Sequence, residues 1–160
     1  MEDPLLLFSV LYGLWVANLT ASKGDVVREL AVQFLALAQK QGATVPLMIG
    51  HRLIGLSLLH TGDIAEGRTH LDRALALYDP AEHRSLATRF GQDVRMAALS
   101  WRSMALWLLG YPAAALVDAD HALKDAREVG QGYHVVVCAV LGIVAIFLLW
   151  RLRNSERVGR

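Results

Sequence analysis

The strongest constraint on the fold is the stretch Val45–Pro80, in which two helical patterns flank the turn Thr61–Asp63. Before the turn the residues are apolar almost all round, which is typical of a helix with neighbours on more than one side. After the turn, apolar or small residues recur with the 3.6-residue period of an amphipathic helix. Gly62 suits the left-handed conformation that ends a helix, and Asp63 suits the N-cap position that begins one. The stretch therefore predicts an antiparallel helical hairpin.

The apolar pattern of the second helix of this hairpin occurs twice more in the chain. Later in the chain it returns at a constant offset of 48 residues. The corresponding pairs are Gly67 with Ala115, Leu71 with Ala119, Ala74 with Ala122, and Leu75 with Leu123. In the earlier copy, the residues aligned with Gly67, Leu71 and Ala74 are Leu30, Phe34 and Leu37. The sequence thus predicts three hairpins, at about residues 5–41, 45–80 and 95–130, with a more polar insertion at 81–94.

Recurring hairpins of this kind predict a helical repeat array, because stacking buries a continuous core between neighbouring pairs. The nearest known pattern is the tetratricopeptide repeat, a helix-turn-helix of about 34 residues. Gly55, Gly62 and Gly67 have the separations of that repeat, whereas the other two copies have longer spacings. We predict an all-α fold, a right-handed superhelical array of antiparallel helix hairpins over residues 1–131, followed by an apolar helix and a basic tail over 132–160. A non-repetitive helical bundle is the alternative.

Three strings in the chain carry a more specific likeness: PLLLFSVLYGLWVANL, GHRLIGLSLLHTGDIAEGRTHLDRALALYDPAEHRSLATRFGQDV and WRSMALWLLGYPAAAL. They resemble the C-terminal repeat region of large bacterial proteins that join a class III adenylate/guanylate cyclase domain, an ATPase domain and a tetratricopeptide tail. The resemblance covers about residues 4–131 and fails after Gln131. In that family the repeats are regarded as regulatory or partner-binding, and catalysis belongs to the upstream domains. The resemblance therefore implies a non-catalytic protein–protein interaction module, standing alone or truncated.

The residue types that carry chemistry are scattered in this sequence. There is no GxxxxGK[ST] loop to cradle a nucleotide, and none of the six histidines has a metal-ligand spacing. Cys138 is alone, and a net charge of +1 does not suggest a nucleic-acid partner. The aspartates of the last predicted helix, Asp118, Asp120 and Asp125, indicate a solvated face. We expect no enzymatic activity, no cofactor and no metal.

A protein or peptide partner is the better expectation, since helical arrays form extended concave surfaces. By analogy with the tetratricopeptide pattern, the first helix of each hairpin lines that groove. The residues predicted to face it are Arg52, Leu56, His60, Ser100, Met104 and Trp107. Trp and Arg often anchor interfaces. For Met104 and Trp107, burial between helices is the alternative, because their helix is largely apolar.

The longest apolar runs lie near the two ends of the chain. Met1–Thr20 has acidic residues at positions 2 and 3, unlike a secretory signal, and is predicted to form a buried helix. Val135–Trp150 holds 16 uncharged residues, fewer than the roughly 20 that span a bilayer, and arginines follow it. It is either a transmembrane segment, a helix packed on the last hairpin, or a disrupted end. The chain is accordingly predicted to be cytoplasmic, or associated with the inner membrane if Val135–Trp150 spans it.

Overall fold

A computed structural model describes residues 4–84 and 93–129 of the chain. Over these residues the backbone forms seven α-helices and no strand, which confirms the all-α prediction for this part of the chain. The helices are α1 (Pro4–Thr20), α2 (Gly24–Gln41), α3 (Thr44–Thr61), α4 (Ile64–Ala76), α5 (Pro80–His83), α6 (Val94–Leu108) and α7 (Pro112–Val129).

The described helices divide into two compact units, with the boundary between His83 and Arg84. The first unit contains α1 to α5, and the second contains α6 and α7. Within the first unit each of α1 to α3 packs on the next helix, and in the second unit α6 packs on α7. The predicted stretch 5–41 thus holds α1 and α2, 45–80 holds α3 and α4, and 95–130 holds α6 and α7.

The two helices of each pair run antiparallel, because contacting residues lie at nearly equal distances before and after the turn that joins them. In α3 and α4 the backbones approach at Gly55 and Gly67, on either side of Gly62. The corresponding contacts are Phe8 with Phe34, whose ring centroids are 4.8 Å apart, and Arg102 with Asp118. This mirror arrangement is the helical hairpin that the sequence predicts.

Left-handed glycines follow three of the described helices, α2, α3 and α6. Gly62 follows α3 with φ of +94° and donates its backbone N–H to the last turn of that helix, as predicted. Gly42 after α2 and Gly110 after α6 have φ of +68° and +87°. Asp63 occupies the N-cap position of α4, as predicted, but its side chain makes no hydrogen bond to the start of that helix. Its carboxylate instead accepts a hydrogen bond from the guanidinium of Arg28 on α2 (3.1 Å).

The α3–α4 hairpin is closely packed because glycines face each other where the helices meet. A Cβ built on Gly67 would lie 2.8 Å from the carbonyl oxygen of Gly55, and one on Gly55 would lie 2.7 Å from Leu71 Cγ. Leu71 is fully buried beside this contact. The sequence-based expectation that Gly67 permits a close approach and that Leu71 fills the adjacent space is therefore confirmed.

The second helices α2, α4 and α7 bury the same pattern of residues, spaced i, i+4, i+7. The buried sets are Ala31, Leu35 and Ala38; Gly67, Leu71 and Ala74; and Ala115, Ala119 and Ala122. The prediction aligned Leu30, Phe34 and Leu37 with Gly67, Leu71 and Ala74, so the observed match is shifted by one residue, and Leu30 and Leu37 are only partly buried. Leu35 packs against Gly50 of α3 with small alanines beside it, and it therefore takes the place in α2 that Leu71 takes in α4.

Helix α3 lies against α1 and α2 as well as against α4, which confirms the expectation of neighbours on more than one side. The indole Nε1–H of Trp15 donates to Ser57 Oγ (3.0 Å), joining α1 to α3. Leu35 of α2 contacts Gly50 of α3. Because residue 12 is joined to 52 and residue 15 to 57, α1 and α3 run parallel. The first helix of the second hairpin therefore packs on α2 of the hairpin before it and is joined to α1 by side-chain hydrogen bonds.

Helix α1 departs from the prediction of a buried N-terminal helix. Phe8 and Trp15 are buried, but the opposite side of the helix is exposed. None of the helices formed by residues 4–84 and 93–129 is long and apolar enough to cross a membrane. The predicted segment Val135–Trp150 and the tail to residue 160 lie outside the described residues.

Candidate functional site

The six residues predicted to face a groove fall into two groups. Arg52, Leu56 and Ser100 are buried, with 3 to 4% of their surface exposed. The other three are accessible: His60 is exposed, and Met104 and Trp107 are partly exposed. Three of these six lie in each of the two units, so the structure does not bring all six into one described site. A partner-binding role for them stays a prediction.

Arg52 is engaged in the contact between α1 and α3. Its Nη2–H donates to the hydroxyl of Tyr12 (3.1 Å), and its guanidinium lies 5.6 Å from the centroid of the Tyr12 ring. Its buried Nε has no hydrogen-bond partner within the described residues. An arginine placed in this way stabilises the contact between α1 and α3, and little of its side chain is accessible to a partner.

His51 on α3 and His70 on α4 form a pair that the sequence analysis did not detect. Their Nδ1 atoms are 3.0 Å apart, so one imidazole donates its Nδ1–H to the other. Partial burial, followed by the nearby charges of His70 and Arg73, lowers the pKa of His51 from 6.5 to about 4. Partial burial and then Arg73 also lower the pKa of His70, against an opposing effect of Glu66. Both rings are therefore neutral at pH 7 and serve as a polar tie across the hairpin.

Two ion pairs join α6 to α7, and they correct the prediction that the aspartates of α7 form a solvated face. Arg102 donates from Nε (2.6 Å) and Nη2 (2.8 Å) to the two carboxylate oxygens of Asp118. Arg95 donates to Asp125. Both aspartates are buried, and only Asp120 is exposed. A signal was present in the sequence, since Arg95 and Arg102 are seven residues apart, like the two aspartates.

The cavity found at the turn between α1 and α2 is small. Its volume is about 110 Å³, and it is lined by Leu19, Ser22, Lys23, Gly24, Val27 and His60. Sites for drug-sized ligands enclose about 300–1,000 Å³. This cavity can therefore hold water or a small ion, and it does not suggest a substrate site.

The most distinctive surface in the first unit is the exposed side of α1, which we call the α1 face. Its large apolar side chains are 37 to 64% exposed: Leu6, Leu7, Val10, Leu14 and Val16. Gly13 and Ala17 lie between them on the same side and are also exposed. There is no charged residue from Pro4 to Ser22. An apolar helix face of this kind marks an interaction site more often than a surface exposed to water.

Residues 4–84 and 93–129 contain no group of three or more His, Cys, Asp or Glu side chains that could hold a metal ion. Comparison of the chain with protein-family models, with curated proteins and with solved structures found no match. The function must therefore be argued from the geometry of the helices and from the α1 face.

Proposed function

We propose that this chain is a non-catalytic helical-repeat module that binds another protein, similar to the C-terminal tetratricopeptide-like region of bacterial cyclase–ATPase proteins. The observation that carries the proposal is the position of α3, which packs on α2 of the preceding hairpin and is hydrogen-bonded to α1 through Trp15 and Ser57. Stacking of a hairpin on the one before it is how repeat proteins grow, and the extended surfaces that result are their usual binding sites. Within this proposal the full array is a right-handed superhelix located in the cytoplasm.

The α1 face supplies a second line of support. A helix side that faces water is usually polar. Helix α1 has the opposite character, because its outer side holds Leu6, Val10 and Leu14 and no charge. Covering such a side with another apolar helix removes apolar surface from water and lowers the free energy. The proposed module therefore has a binding surface at the α1 end.

Photo-crosslinking in cells that produce the full chain tests the proposal. A photoreactive amino acid is placed at Val10 on the α1 face, at Met104 in the predicted groove, or at Val32 as a control. Val32 is a fair match because it is 50% exposed on α2, against 49% for Val10 on α1. We expect adducts with a protein from position 10 or 104 and none from position 32. Equal labelling from all three positions, or turnover of nucleotides by the purified chain, would contradict the proposed module.

A membrane-attached repeat protein is the second candidate, and one sequence observation favours it. Val135–Trp150 is uncharged and is followed by Arg151 and Arg153. Alkaline extraction of membranes separates the two candidates. An anchored chain remains in the pellet and is released when residues 132–160 are deleted, whereas recovery in the supernatant without detergent argues against the anchor.

A further inference from the structure

Gly13 is the helical glycine that packing within the chain leaves unexplained. Glycine inside a helix is destabilising relative to alanine, so a structural reason for it is expected. Gly50, Gly55 and Gly67 each have one, because a Cβ on any of them would lie within about 3 Å of a neighbouring helix. A Cβ on Gly13 would meet nothing within 4 Å. The feature that explains the other three is a close helix–helix approach, and no described helix supplies one at Gly13.

The residues around Gly13 divide the α1 face into a bulky half and a small half. Leu6, Val10, Gly13 and Ala17 follow one another at spacings of four, three and four residues, which is the stripe of a helix that pairs with another helix. Leu6 and Val10 make the first half bulky, and Gly13 and Ala17 make the second half shallow.

We propose that the α1 face binds the α1 face of a second copy of this chain, in antiparallel orientation about a two-fold axis. In that arrangement Leu6 lies opposite the partner's Ala17, and Val10 lies opposite the partner's Gly13, so that each bulky side chain meets a small one. A two-fold contact of this type uses the same patch on both copies and requires the patch to be complementary to itself. A parallel pairing would set Leu6 against its own copy and leave a gap at Gly13.

Charge and area agree with a second copy as the occupant. A charged residue on the face would be buried against its own counterpart or against apolar surface of the second copy, which is unfavourable. The stretch from Pro4 to Ser22 contains no charged residue. The helix of 17 residues is about 25 Å long. The exposed parts of its five large apolar side chains amount to on the order of 400 Å² per copy, the size of the largest patch on an ordinary monomer. Leu7 and Val16 lie at opposite edges of the face, so two such patches with their flanking small residues bury at most about 1,000 Å², the lower limit for a specific interface. We therefore expect a weak dimer, in the micromolar range.

This inference rests on the proposed function, because it identifies the partner of the proposed module. Sedimentation equilibrium on the full chain, from about 1 to 300 μM, measures the association directly. We expect wild-type monomers and dimers in a concentration-dependent ratio. Val10→Glu should weaken the dimer by at least about tenfold because a carboxylate would be desolvated at the axis. The matched Val32→Glu variant should associate like wild type.

Gly13→Leu separates an interface role from a structural one. Leucine is a better helix former than glycine and has open space in the single chain, so helicity should be retained or rise. The same side chain would collide with Val10 of the second copy, and we expect the dimer to be weakened by at least about tenfold. Loss of the dimer together with loss of helicity would instead place Gly13 in the fold and overturn the proposal.

Disulfide cross-linking in a Cys138→Ser background tests the orientation. Chains with Leu6→Cys should link to chains with Ala17→Cys on mild oxidation, and neither should link to itself, because like positions lie about 16 Å apart in the antiparallel pair. Self-linkage of the Leu6→Cys chain would overturn the antiparallel arrangement. A wild-type chain that stays monomeric at 300 μM would overturn the second copy as the occupant. The proposed module would still stand if photo-crosslinking at position 10 captured a different protein.

Discussion

Replacing Gly67 with alanine should destabilise the protein, although alanine is the better helix former. Alanine in place of glycine inside a helix stabilises by up to about 1 kcal/mol. At Gly67, however, the added Cβ would lie 2.8 Å from the carbonyl oxygen of Gly55 and 3.3 Å from Leu58 Cβ, and it would collide with Leu59 Cδ1. The leucine side chain can rotate away, but the carbonyl oxygen belongs to the backbone of α3, so the two helices have to separate.

The size of the effect follows from these opposing contributions. Overpacking of a close contact costs about 1–3 kcal/mol, and separating α3 from α4 also weakens the packing of Leu71. After the gain in helix propensity is subtracted, we expect the free energy of unfolding to fall by about 1–2 kcal/mol. Urea denaturation followed by far-ultraviolet circular dichroism, at low micromolar concentration, measures this change.

Gly13→Ala is the matched control, since its Cβ meets nothing within 4 Å. This variant should stabilise the dilute chain by about 0.5–1 kcal/mol through helix propensity alone. The two Gly→Ala variants should therefore differ in sign. If Gly67→Ala stabilised the chain as much as Gly13→Ala does, the close approach of α3 and α4 would be refuted.

Three further predictions concern the polar contacts. Asp118→Ala should lower the free energy of unfolding by about 2–3 kcal/mol, which is less than for a fully buried pair because Arg102 is partly exposed. Replacing both Asp118 and Arg102 by leucine should lower it less, and equal losses for the two variants would argue against a coupled ion pair. The unfolded chain protonates His51 near pH 6.5 and the folded chain only near pH 4, so the free energy of unfolding should fall as the pH drops through this window. The expected loss is about 1 kcal/mol after allowance for solvent screening of a half-exposed group. In His51→Gln the free energy of unfolding, measured in urea, should depend less steeply on pH, and an unchanged dependence would contradict the lowered pKa of His51. Ser57→Ala should cost about 1–3 kcal/mol because it leaves the buried indole N–H of Trp15 without its acceptor, and a neutral result in urea denaturation would count against that contact.

The local features of the hairpins could be predicted from the sequence because they depend on neighbouring residues. Gly62 ends α3 as its position before Asp63 suggests, since the left-handed conformation it adopts favours glycine over other residues. The burial of α3 on several sides follows from its lack of a polar face. The small residue at Gly67 indicated a close approach, and the structure has one.

The features that could not be predicted depend on which residue of one helix lies opposite which residue of another. Asp63 binds Arg28, 35 positions away, and does not cap its own helix. Asp118 is paired with Arg102 only because the two lie equally far from Gly110, a relation that periodicity along one helix does not contain. The contact of Arg52 with Tyr12, 40 positions away, is another pairing that one helix does not indicate. A helix that is apolar on all sides gives no indication of which side remains open.

The hydrogen bond between Trp15 of α1 and Ser57 of α3 joins the first hairpin to the second beside the packing of α2 on α3, and nuclear magnetic resonance can test it directly. The indole N–H of Trp15, assigned by comparison with a Trp15→Phe variant, should show nuclear Overhauser effects to Ser57 and should be protected from exchange with water, since Trp15 is 2% exposed. An indole proton that exchanges freely and shows no contact with α3 would contradict the stacked arrangement of the hairpins.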